Sequence, residues 1–269
     1  MNKYISIIGC GWLGLPLAIE LFKHGYTVKG STTSADKMEV FKKEGILPFL
    51  VSISEAGITG SIVDCLKESE ILIVNIPPGL RKNPEADFVK QMEMLCKYIE
   101  RSTVKNVLYI SSTAVYEDDI SMPIITEESP TNGQSASAKQ LIGAEQVFKT
   151  NVHFETTILR FGGLIGDGRN PAKFLSGKNM VKNPDGPVNL IHQDDCIAII
   201  KTIIQEKHWN TEFNAVAPQH PSRKAYYTSL CKTHNLPVPQ FDPSSQSQGK
   251  IISNEKVEQI LKYNFQHHL

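Results

Sequence analysis

The sequence lacks the features that mark membrane proteins, nucleic-acid-binding proteins and repeat proteins. No apolar run approaches the roughly 20 residues that cross a bilayer, and the amino-terminal run ends in glycines without a signal-peptide cleavage pattern. Lys plus Arg and Asp plus Glu number 28 each, so the formal net charge is zero. This balance argues against a nucleic acid or an anionic membrane as the main partner. Internal repeats and low-complexity tracts are absent as well.

Cysteine is present without a pattern. The five cysteines show neither a CxxC pair nor a metal-ligand spacing. Cys10, Cys96 and Cys196 fall in segments that we expect to be buried, where cysteine acts as a small apolar residue. We therefore expect no metal site and a reduced, cytoplasmic compartment.

The 269 residues, of which 41% are hydrophobic and 21% charged, suffice for one large α/β domain. In the first half, apolar segments typical of strands alternate with helical patterns. The predicted strands are 3–9, 26–30, 46–53, 71–76 and 106–112, and the predicted helices are 12–24, 35–45 and 85–101. Continuous apolar strands between helices predict a Rossmann-type, doubly wound parallel sheet covered on both faces. The strand ends GCGWLG, GSTTS, NIPPG and SSTAVY should then face one crevice.

The second half predicts the end of this sheet and a small lobe. Residues 117–134 are polar, acidic and aperiodic, which suggests a flap. A helix is expected at 136–149 and a strand at 156–161, and short elements follow, including a helix at 195–205. Because no long linker interrupts the chain, we expect a single domain over 1–269. Its substrate lobe should come from about 163–190 and 217–269.

The strongest local motif is GCGWLG at 9–14, which fits G-x-G-x-x-G. It follows a strand and opens a helix, the context in which this pattern indicates a dinucleotide site. Gly9 would permit the tight turn, Gly11 would let the backbone approach the pyrophosphate, and Gly14 would let the helix pack closely. With Trp12 and Leu13, these residues form the predicted phosphate-binding turn.

The second predicted strand favours NADP over NAD. It ends in Ser31-Thr32-Thr33-Ser34, without the acidic residue that usually binds the ribose of NAD. These hydroxyls and Lys37 suit a 2′-phosphate better. An alternative is that Ser34 caps the next helix, and both roles are compatible. Three further residues at strand ends should line the same site: Asn75, Pro77 and Ser111.

Later motifs are similar to one enzyme family. YISSTAVYE (109–117), LRFGGLIGDGRNP (159–171) and NLIHQDDCIAII (189–200) occur in its order and spacing. They resemble the extended short-chain dehydrogenases/reductases of the NAD-dependent epimerase/dehydratase group, although Asn189 precedes Leu190 where that group has an arginine. EFNAVAPQHPSRKAYYTSLCKTHNLPVP (212–239) and KIISNEKVEQILKYNF (250–265) resemble its atypical YeeZ-like subgroup, as do NIPPG and GSTTS.

The resemblance implies catalytic roles for two residues. Ser112 would donate a hydrogen bond to a substrate hydroxyl or carbonyl, or else bond only to local backbone. Tyr116 would contribute a phenol, or else pack over the crevice. Arg169 is the candidate for binding an anionic substrate group. We expect structural roles for His192, for Asp194 or Asp195 as a helix cap, and for Arg160 with an internal carboxylate.

The tyrosine–lysine pair that the family uses for proton transfer is not evident. SASAK (135–139) offers Ser135 and Lys139 in one alignment, whereas anchoring on Glu145 offers Ser137 and Leu141. The apolar positions of this helix favour the second alignment. They place Ser137 and Leu141 on the core side, with Lys139 and Gly143 on the polar side. A serine hydroxyl is far less acidic than a phenol of pKa about 10, so the usual tyrosine mechanism is not expected.

Two functions remain open on the sequence. One is an oxidoreductase or epimerase-like enzyme that uses NADP (or NAD) on a small polar or nucleotide-sugar-like substrate. The other is a non-catalytic NADP-binding sensor or regulatory protein. A homodimer is suggested only by analogy with the family.

Overall fold

The computed structural model describes residues 4–81 and 83–269 as an α/β structure. The strands are β1 (Tyr4–Ile8), β2 (Thr27–Thr32), β3 (Leu47–Ser54), β4 (Gly57–Gly60), β5 (Ser69–Val74), β6 (Asn106–Ser112), β7 (Ile124–Ile125), β8 (Glu155–Phe161), β9 (Gly163–Ile165), β10 (Leu190–His192), β11 (Glu212–Ala215) and β12 (Ile251–Ile252). The helices are α1 (Gly14–Lys23), α2 (Asp36–Lys43), α3 (Ile62–Leu66), α4 (Phe88–Ile99), α5 (Ala136–Lys149), α6 (Ala172–Leu175), α7 (Gln193–Glu206), α8 (Arg223–Thr233) and α9 (Glu255–Ile260). A 3₁₀ turn over Thr113–Val115 follows β6.

The central sheet has the strand order β11–β8–β6–β5–β1–β2–β3–β4. Strands β6, β5, β1, β2 and β3 pair in parallel, and β4 turns back antiparallel onto β3. The chain runs outward from β1 to β3 and then crosses to the other side of β1 with β5. The switch point therefore lies between β1 and β5, where sheets of this type bind ligands. The predicted doubly wound sheet is confirmed.

An apolar core lies between this sheet and helices α3, α4 and α5. Helix α4 shows how the sequence forms it, because its buried residues recur every three or four positions and therefore share one side. They are Phe88, Met92, Leu95, Cys96 and Ile99. Full burial of each such side chain stabilises the fold by roughly 1.5–3 kcal/mol. All five cysteines are unpaired and buried, including the three for which burial was predicted.

The chain divides into two compact units. The first contains the chain up to Ser111, 135–159 and 200–212. The second contains 112–134, 160–199 and 213–269. Both stretches predicted to form the substrate lobe lie in the second unit, which is larger than that prediction. In the described part of the chain, no helix is both long and apolar enough to span a membrane.

Short parallel pairs organise the second unit. Strand β9 pairs with β10, and β7 pairs with β12. The segment 117–134 is held within this unit, because it contains β7 and because Asp119 forms an antiparallel bridge with Gly249. Lys250 Nζ also lies 2.7 Å from a carboxylate oxygen of Asp118. The predicted flap is thus fixed over 118–125 by the carboxyl-terminal part of the chain.

Two predicted helix caps are wrong. Helix α2 begins at Asp36, and Ala35 rather than Ser34 stands at its cap, without a side-chain hydrogen bond. Helix α7 begins at Gln193, so Asp194 and Asp195 lie inside its first turn. The carboxylate of Asp195 is used elsewhere, as described below. The sequence pattern also misses β4 and α3, which are too short to show a period.

Candidate functional site

The turn after β1 has a backbone conformation that requires glycine at its first position. Gly9 has φ +101°, in the left-handed region. A Cβ at Gly9 would lie 2.4 Å from the carbonyl oxygen of Asn75. The Gly9 N–H donates to Ser31 Oγ at 2.9 Å. Both the conformation and the close approach of the backbones exclude larger residues.

The other two glycines of the motif meet different surroundings. A Cβ at Gly14 would lie 2.3 Å from the carbonyl oxygen of Gly9, so α1 begins in direct contact with the turn. Apart from Gly11 itself and its two chain neighbours, no atom of the described residues lies within 4 Å of the position that a Cβ would take at Gly11. The space beside Gly11 is what a pyrophosphate needs to approach the backbone. The start of α1 adds a partial positive charge there.

Asn75 braces the same turn from β5. Its Nδ2 donates to the carbonyl oxygen of Gly9 at 3.0 Å. Its backbone N–H donates to the carbonyl oxygen of Ile8 at 2.8 Å. Ser31 and Asn75 therefore fix the glycine turn by hydrogen bonds from the two neighbouring strands, β2 and β5.

A cavity of about 340 Å³ opens at this turn. Residues from the ends of β1, β2, β3 and β5 line it, with one residue each from α2 and α4. The described lining residues are Ile8, Gly9, Cys10, Gly11, Ser31, Thr32, Thr33, Lys37, Val51, Ile53, Asn75, Ile76, Pro77 and Gln91. The cavity thus lies at the switch point of the sheet, within the first unit.

The cavity lining has one polar, cationic part. Among the described lining residues there is a single side-chain cation, Lys37, and no carboxylate. Burial raises the pKa of the Cys10 thiol far above its ordinary value, so this side chain stays neutral. A lining of hydroxyls and one ammonium favours an anionic ligand.

Eight of the thirteen residues predicted to bind the cofactor line this cavity. The predicted residues that do not line it are Trp12, Leu13, Gly14, Ser34 and Ser111. The sequence interpretation missed six lining residues: Ile8, Cys10, Val51, Ile53, Ile76 and Gln91. The alternation of Val51 and Ile53 at the end of β3 is a signal that both face one side, whereas no pattern in α4 singles out Gln91.

Ser111 links β6 to α5 instead of lining the cavity. It is buried, and its Oγ donates to Glu145 Oε1 at 2.6 Å. Glu145 is 3% exposed, so its inward position on α5 is unambiguous. In the predicted alignment anchored on Glu145, Ser137 and Leu141 would take the positions of the family's tyrosine and lysine.

Helix α5 agrees only in part with the predicted faces. Leu141 is buried and Lys139 exposed, as predicted, but Ser137 is exposed, and the prediction that it faces the core is wrong. Ser137 lies in the first turn, beyond the reach of the core that holds Leu141. Gly143 is not on a polar face either, because a Cβ there would lie 2.5 Å from Cγ2 of Val89 in α4.

Ser135 has a structural role at the start of α5. Its Oγ accepts a hydrogen bond from the Ala138 N–H at 3.1 Å, which makes it the helix N-cap. Such a hydrogen bond satisfies a backbone donor that the helix leaves unpaired. SASAK is therefore a capped helix start with an exposed lysine.

Ser112 caps the 3₁₀ turn after β6. Its Oγ accepts a hydrogen bond from the Ala114 N–H at 3.2 Å, the local backbone role considered for it above. The side chain is half-buried. A hydroxyl that accepts one hydrogen bond can still donate another, so this role leaves a substrate contact available.

The hydroxyl of Tyr116 is held by two buried side chains. It donates to Asn214 Oδ1 at 3.0 Å and accepts from Arg160 Nη1 at 2.8 Å. Burial raises the pKa of this phenol, although the neighbouring Arg160 acts in the opposite direction. Arg160 thus has a phenol among its partners, where the sequence favoured a carboxylate.

The remaining candidates lie elsewhere in the second unit. Arg169 is exposed, and its N–H donates to the carbonyl oxygen of Gly166 at 2.9 Å, which closes the glycine-rich turn. Asp195 is fully buried and accepts the Tyr263 hydroxyl at 2.6 Å. Its structural role is therefore to hold the carboxyl-terminal segment, not to cap α7.

Comparison with known proteins agrees with this architecture. Residues 4–120 match the family model of the NAD binding domain of 6-phosphogluconate dehydrogenase. The chain is also 32% identical to protein YeeZ of Escherichia coli strain K12 over 270 residues, which cover 98% of this chain and 96% of that protein. The amino-terminal part of the chain therefore has a Rossmann-type fold like that of NAD-binding domains.

Two solved structures share the fold. UDP-glucuronic acid 4-epimerase from Bacillus cereus, in complex with NAD, is 14% identical with a TM-score of 0.80, over 98% of this chain and 92% of that one. UDP-glucose 4-epimerase from Thermotoga maritima, with UDP-glucose, is 15% identical with a TM-score of 0.79, over 98% and 94%. At these identities the likeness extends to the fold alone.

Proposed function

Because the chain belongs to the YeeZ family, we propose that it is an NADP-dependent, epimerase/dehydratase-type enzyme that works without the tyrosine–lysine pair. The observation that carries the proposal is the glycine turn, where Gly11 opens onto a cavity lined by hydroxyls and Lys37. Its substrate is proposed to be small and polar or nucleotide-sugar-like, as in the two epimerases that share the fold.

The preference for NADP rests on the end of β2. Thr33 and Lys37 are exposed and line the cavity, and none of its described lining residues carries a carboxylate. A carboxylate would favour the ribose hydroxyl of NAD, whereas an ammonium favours the additional phosphate of NADP. We assign to Lys37 the binding of this phosphate.

Calorimetry with NADP, NADPH, NAD and NADH tests the cofactor assignment. Lys37→Ala should weaken NADP binding by about tenfold or more while changing NAD binding little, because charge-assisted hydrogen bonds contribute ~1.5–3 kcal/mol. Lys43→Ala, an exposed lysine on the same helix outside the cavity lining, is the matched control. Equal losses for NADP and NAD, or tighter binding of NAD by the wild type, would contradict the preference for NADP.

On the substrate side, we assign the leading role to Ser112. When bound, the dinucleotide supplies hydride transfer, and the Ser112 hydroxyl would hydrogen-bond the substrate oxygen. Tyr116 is proposed to position this loop, because its hydroxyl is already bonded to Arg160 and Asn214. Arg169 is proposed to bind an anionic group of the substrate.

Turnover assays with carbonyl compounds and nucleotide sugars test this assignment. Ser112→Ala should lower kcat/KM for any substrate found, with unchanged dinucleotide binding. Ser229→Ala, an exposed serine on α8, should leave both unchanged. Dinucleotide-dependent turnover that is indifferent to Ser112→Ala would show that another group acts.

A non-catalytic NADP sensor is the second candidate, and a specific observation favours it. In the alignment anchored on Glu145, Ser137 and the buried Leu141 would stand where the family has its proton-transfer pair. A sensor should bind oxidised and reduced dinucleotide with different affinities and show no turnover with any of the substrates above. Measurable dinucleotide-dependent turnover would exclude it.

The proposal also includes the oligomeric state of the protein and its cellular compartment. A homodimer is proposed by analogy with the family, and sedimentation velocity over a range of concentrations measures it. A cytoplasmic location is proposed because all five cysteines are unpaired, as expected of a reducing compartment. Cell fractionation tests this location.

A further inference from the structure

Three side chains with metal-binding atoms converge in the second unit. Asp194 Oδ2 lies 3.4 Å from His192 Nδ1 and 3.2 Å from His267 Nε2. The ligand atoms of all three residues lie within 4.8 Å of one another. We propose that His192, Asp194 and His267 form a binding site for a divalent transition metal such as Zn²⁺, separate from the proposed dinucleotide chemistry.

The two distances from Asp194 suit a shared ion. Zinc–ligand bonds of about 2.0–2.1 Å in a tetrahedron place neighbouring ligand atoms about 3.3–3.4 Å apart. The His192–Asp194 and Asp194–His267 distances of 3.4 and 3.2 Å match such edges. The imidazole rings stack with centroids 3.7 Å apart. The ligand atoms of the two histidines therefore reach a tetrahedral separation only if one ring rotates. The His267 side chain is 40% exposed, which leaves room for this rotation.

The Nδ1 atom of His192 acts as a hydrogen-bond acceptor in this structure. The backbone N–H of Asp194 donates to His192 Nδ1 at 3.2 Å, so this nitrogen carries a lone pair in the neutral ring. The ion would replace the N–H as the partner of Nδ1.

A buried carboxylate places His267 beside the other two ligands. Asp195, which has no exposed surface, accepts hydrogen bonds from the N–H groups of Gln266 and His267 at 2.9 and 3.2 Å. It also accepts the Tyr263 hydroxyl. The backbone at His267 is thus fixed to the first turn of α7 before any ion binds. Such outer partners are what orient metal ligands in proteins.

The ligand set selects the class of ion. Two imidazoles and one carboxylate suit Zn²⁺, Co²⁺, Ni²⁺ or Cu²⁺, whereas Mg²⁺ and Ca²⁺ prefer sites made of oxygen. Three protein ligands leave the remaining coordination positions to water. The ion would join the end of β10 and the start of α7 to the carboxyl-terminal segment. Ligand spacing along the sequence does not reveal the cluster, because His267 is far from the other two residues in the chain.

The test is calorimetry and thermal unfolding of the tag-free protein with Zn²⁺, and with Mg²⁺ and Ca²⁺ as comparison ions. The wild type should bind one Zn²⁺ and unfold at a higher temperature with it. His267→Ala should weaken binding at least about tenfold, since loss of even an outer partner costs about 10- to 100-fold. His268→Ala, the adjacent histidine outside the cluster, should bind like the wild type. His267→Gln should weaken Zn²⁺ binding as His267→Ala does, although its side chain is similar in size to histidine.

Several results would overturn the site. These are absence of Zn²⁺ binding by the wild type, retention of binding by both His267 variants, equal losses for His267→Ala and His268→Ala, or equally tight binding of Mg²⁺ or Ca²⁺. Co²⁺ gives an independent readout, because its visible absorption should change on binding to the wild type and not to His267→Ala. Zinc-dependent thermal stabilisation that persists in His267→Ala would count against the site in the same way.

Discussion

At the scale of single residues, the glycines of one motif differ in what constrains them. Gly9 is constrained by the protein, through its positive φ and the nearby carbonyl oxygen of Asn75. Gly11 has open space where a side chain would stand. If the cavity binds a dinucleotide, the constraint at Gly11 comes from the ligand, and the two positions should respond differently to the same substitution.

Gly11→Ala should therefore impair binding without impairing folding. We expect its free energy of unfolding to stay within about 0.5 kcal/mol of the wild type and its dinucleotide affinity to fall at least about tenfold, or ~1.4 kcal/mol. Gly9→Ala should instead destabilise the protein by about 1–3 kcal/mol, the cost of a strained backbone conformation. Urea denaturation and calorimetry on both variants measure the contrast. Unchanged NADP affinity in Gly11→Ala would contradict the assigned role of the turn.

How far residues could be predicted depends on whether the signal is local. Gly9, Gly11 and Lys37 follow from a motif and a strand end, which are short stretches of sequence. Gln91 lines the same cavity from α4, where only the three-dimensional packing brings it. The family's motif also marks Ser111, but its partner Glu145 emerges from the contact between β6 and α5. Residue types at strand ends are thus predictable, and their partners are not.

At the scale of elements, α5 combines a correct prediction of a helix at about 136–149 with two wrong predictions of which side chains face the core. Its bounds of Ala136–Lys149 agree with the predicted 136–149, because a capping serine and the apolar spacing are local signals. The faces of Ser137 and Gly143 depend on where the core and α4 lie. A helix period cannot supply that information.

The cap of α5 gives a direct prediction for SASAK. Ser135→Ala should lower the free energy of unfolding by about 1 kcal/mol, because a backbone N–H of the first turn loses its acceptor. Ser135→Asp should retain most of the stability, since aspartate is an equally good cap. Urea denaturation of both variants measures this. A loss of dinucleotide binding or turnover larger than the loss of stability would instead point to a catalytic serine.

The contact between α4 and α5 gives a second prediction. Gly143→Ala brings a methyl group to 2.5 Å from Val89 Cγ2, and overpacking of this kind costs about 1–3 kcal/mol. In a Val89→Ala background the clash disappears, and the same substitution should stabilise α5 by up to about 1 kcal/mol through helix propensity. A double-mutant cycle by chemical denaturation measures the coupling. Additive effects of the two substitutions would show that the helices adjust without cost.

The shortest elements mark the limit of prediction from sequence. Strands β7 and β12 contain two residues each, and they exist only because Ile124 and Ile125 pair with Ile251 and Ile252. Residues 124 and 125 lie in an aperiodic stretch, so nothing in the sequence reveals β7. The segment 117–134 therefore has the sequence of a flap but is fixed by a partner that lies far along the chain.

At the scale of the whole molecule, buried polar side chains join segments that are distant in sequence. In the second unit, Arg160 donates to Tyr116, and Tyr116 donates to Asn214. The Asn214 N–H in turn donates to Glu127 Oε1 at 2.6 Å. A buried network of this kind specifies one arrangement of its segments, because each member left without a partner is costly. Composition and net charge predict a globular chain of this size but contain no information on these pairings.

Glu127 makes the stability of this network depend on pH. Burial raises the pKa of its carboxyl above the ordinary 4.5, against the opposing effects of the Asn214 N–H, Lys256 and Arg160. A raised carboxyl pKa means that the folded state holds the proton more tightly than the unfolded chain. The stabilisation is therefore complete below pH 4.5 and is lost as the pH rises through the pKa of the folded state.

Glu127→Gln should remove this loss, because its amide stays neutral and its oxygen can still accept the Asn214 N–H. Relative to the wild type, the variant should gain stability between pH 4.5 and pH 7. Urea denaturation at both pH values measures the difference. Glu128→Gln, which changes the same charge at an exposed neighbouring position, should show a smaller change. A difference between Glu127→Gln and the wild type that stays constant with pH would mean that the carboxyl pKa is the same in the folded and unfolded states. A wild type that gains stability on the variant as the pH rises would mean that the hydrogen bond from Asn214 outweighs the burial of the carboxylate.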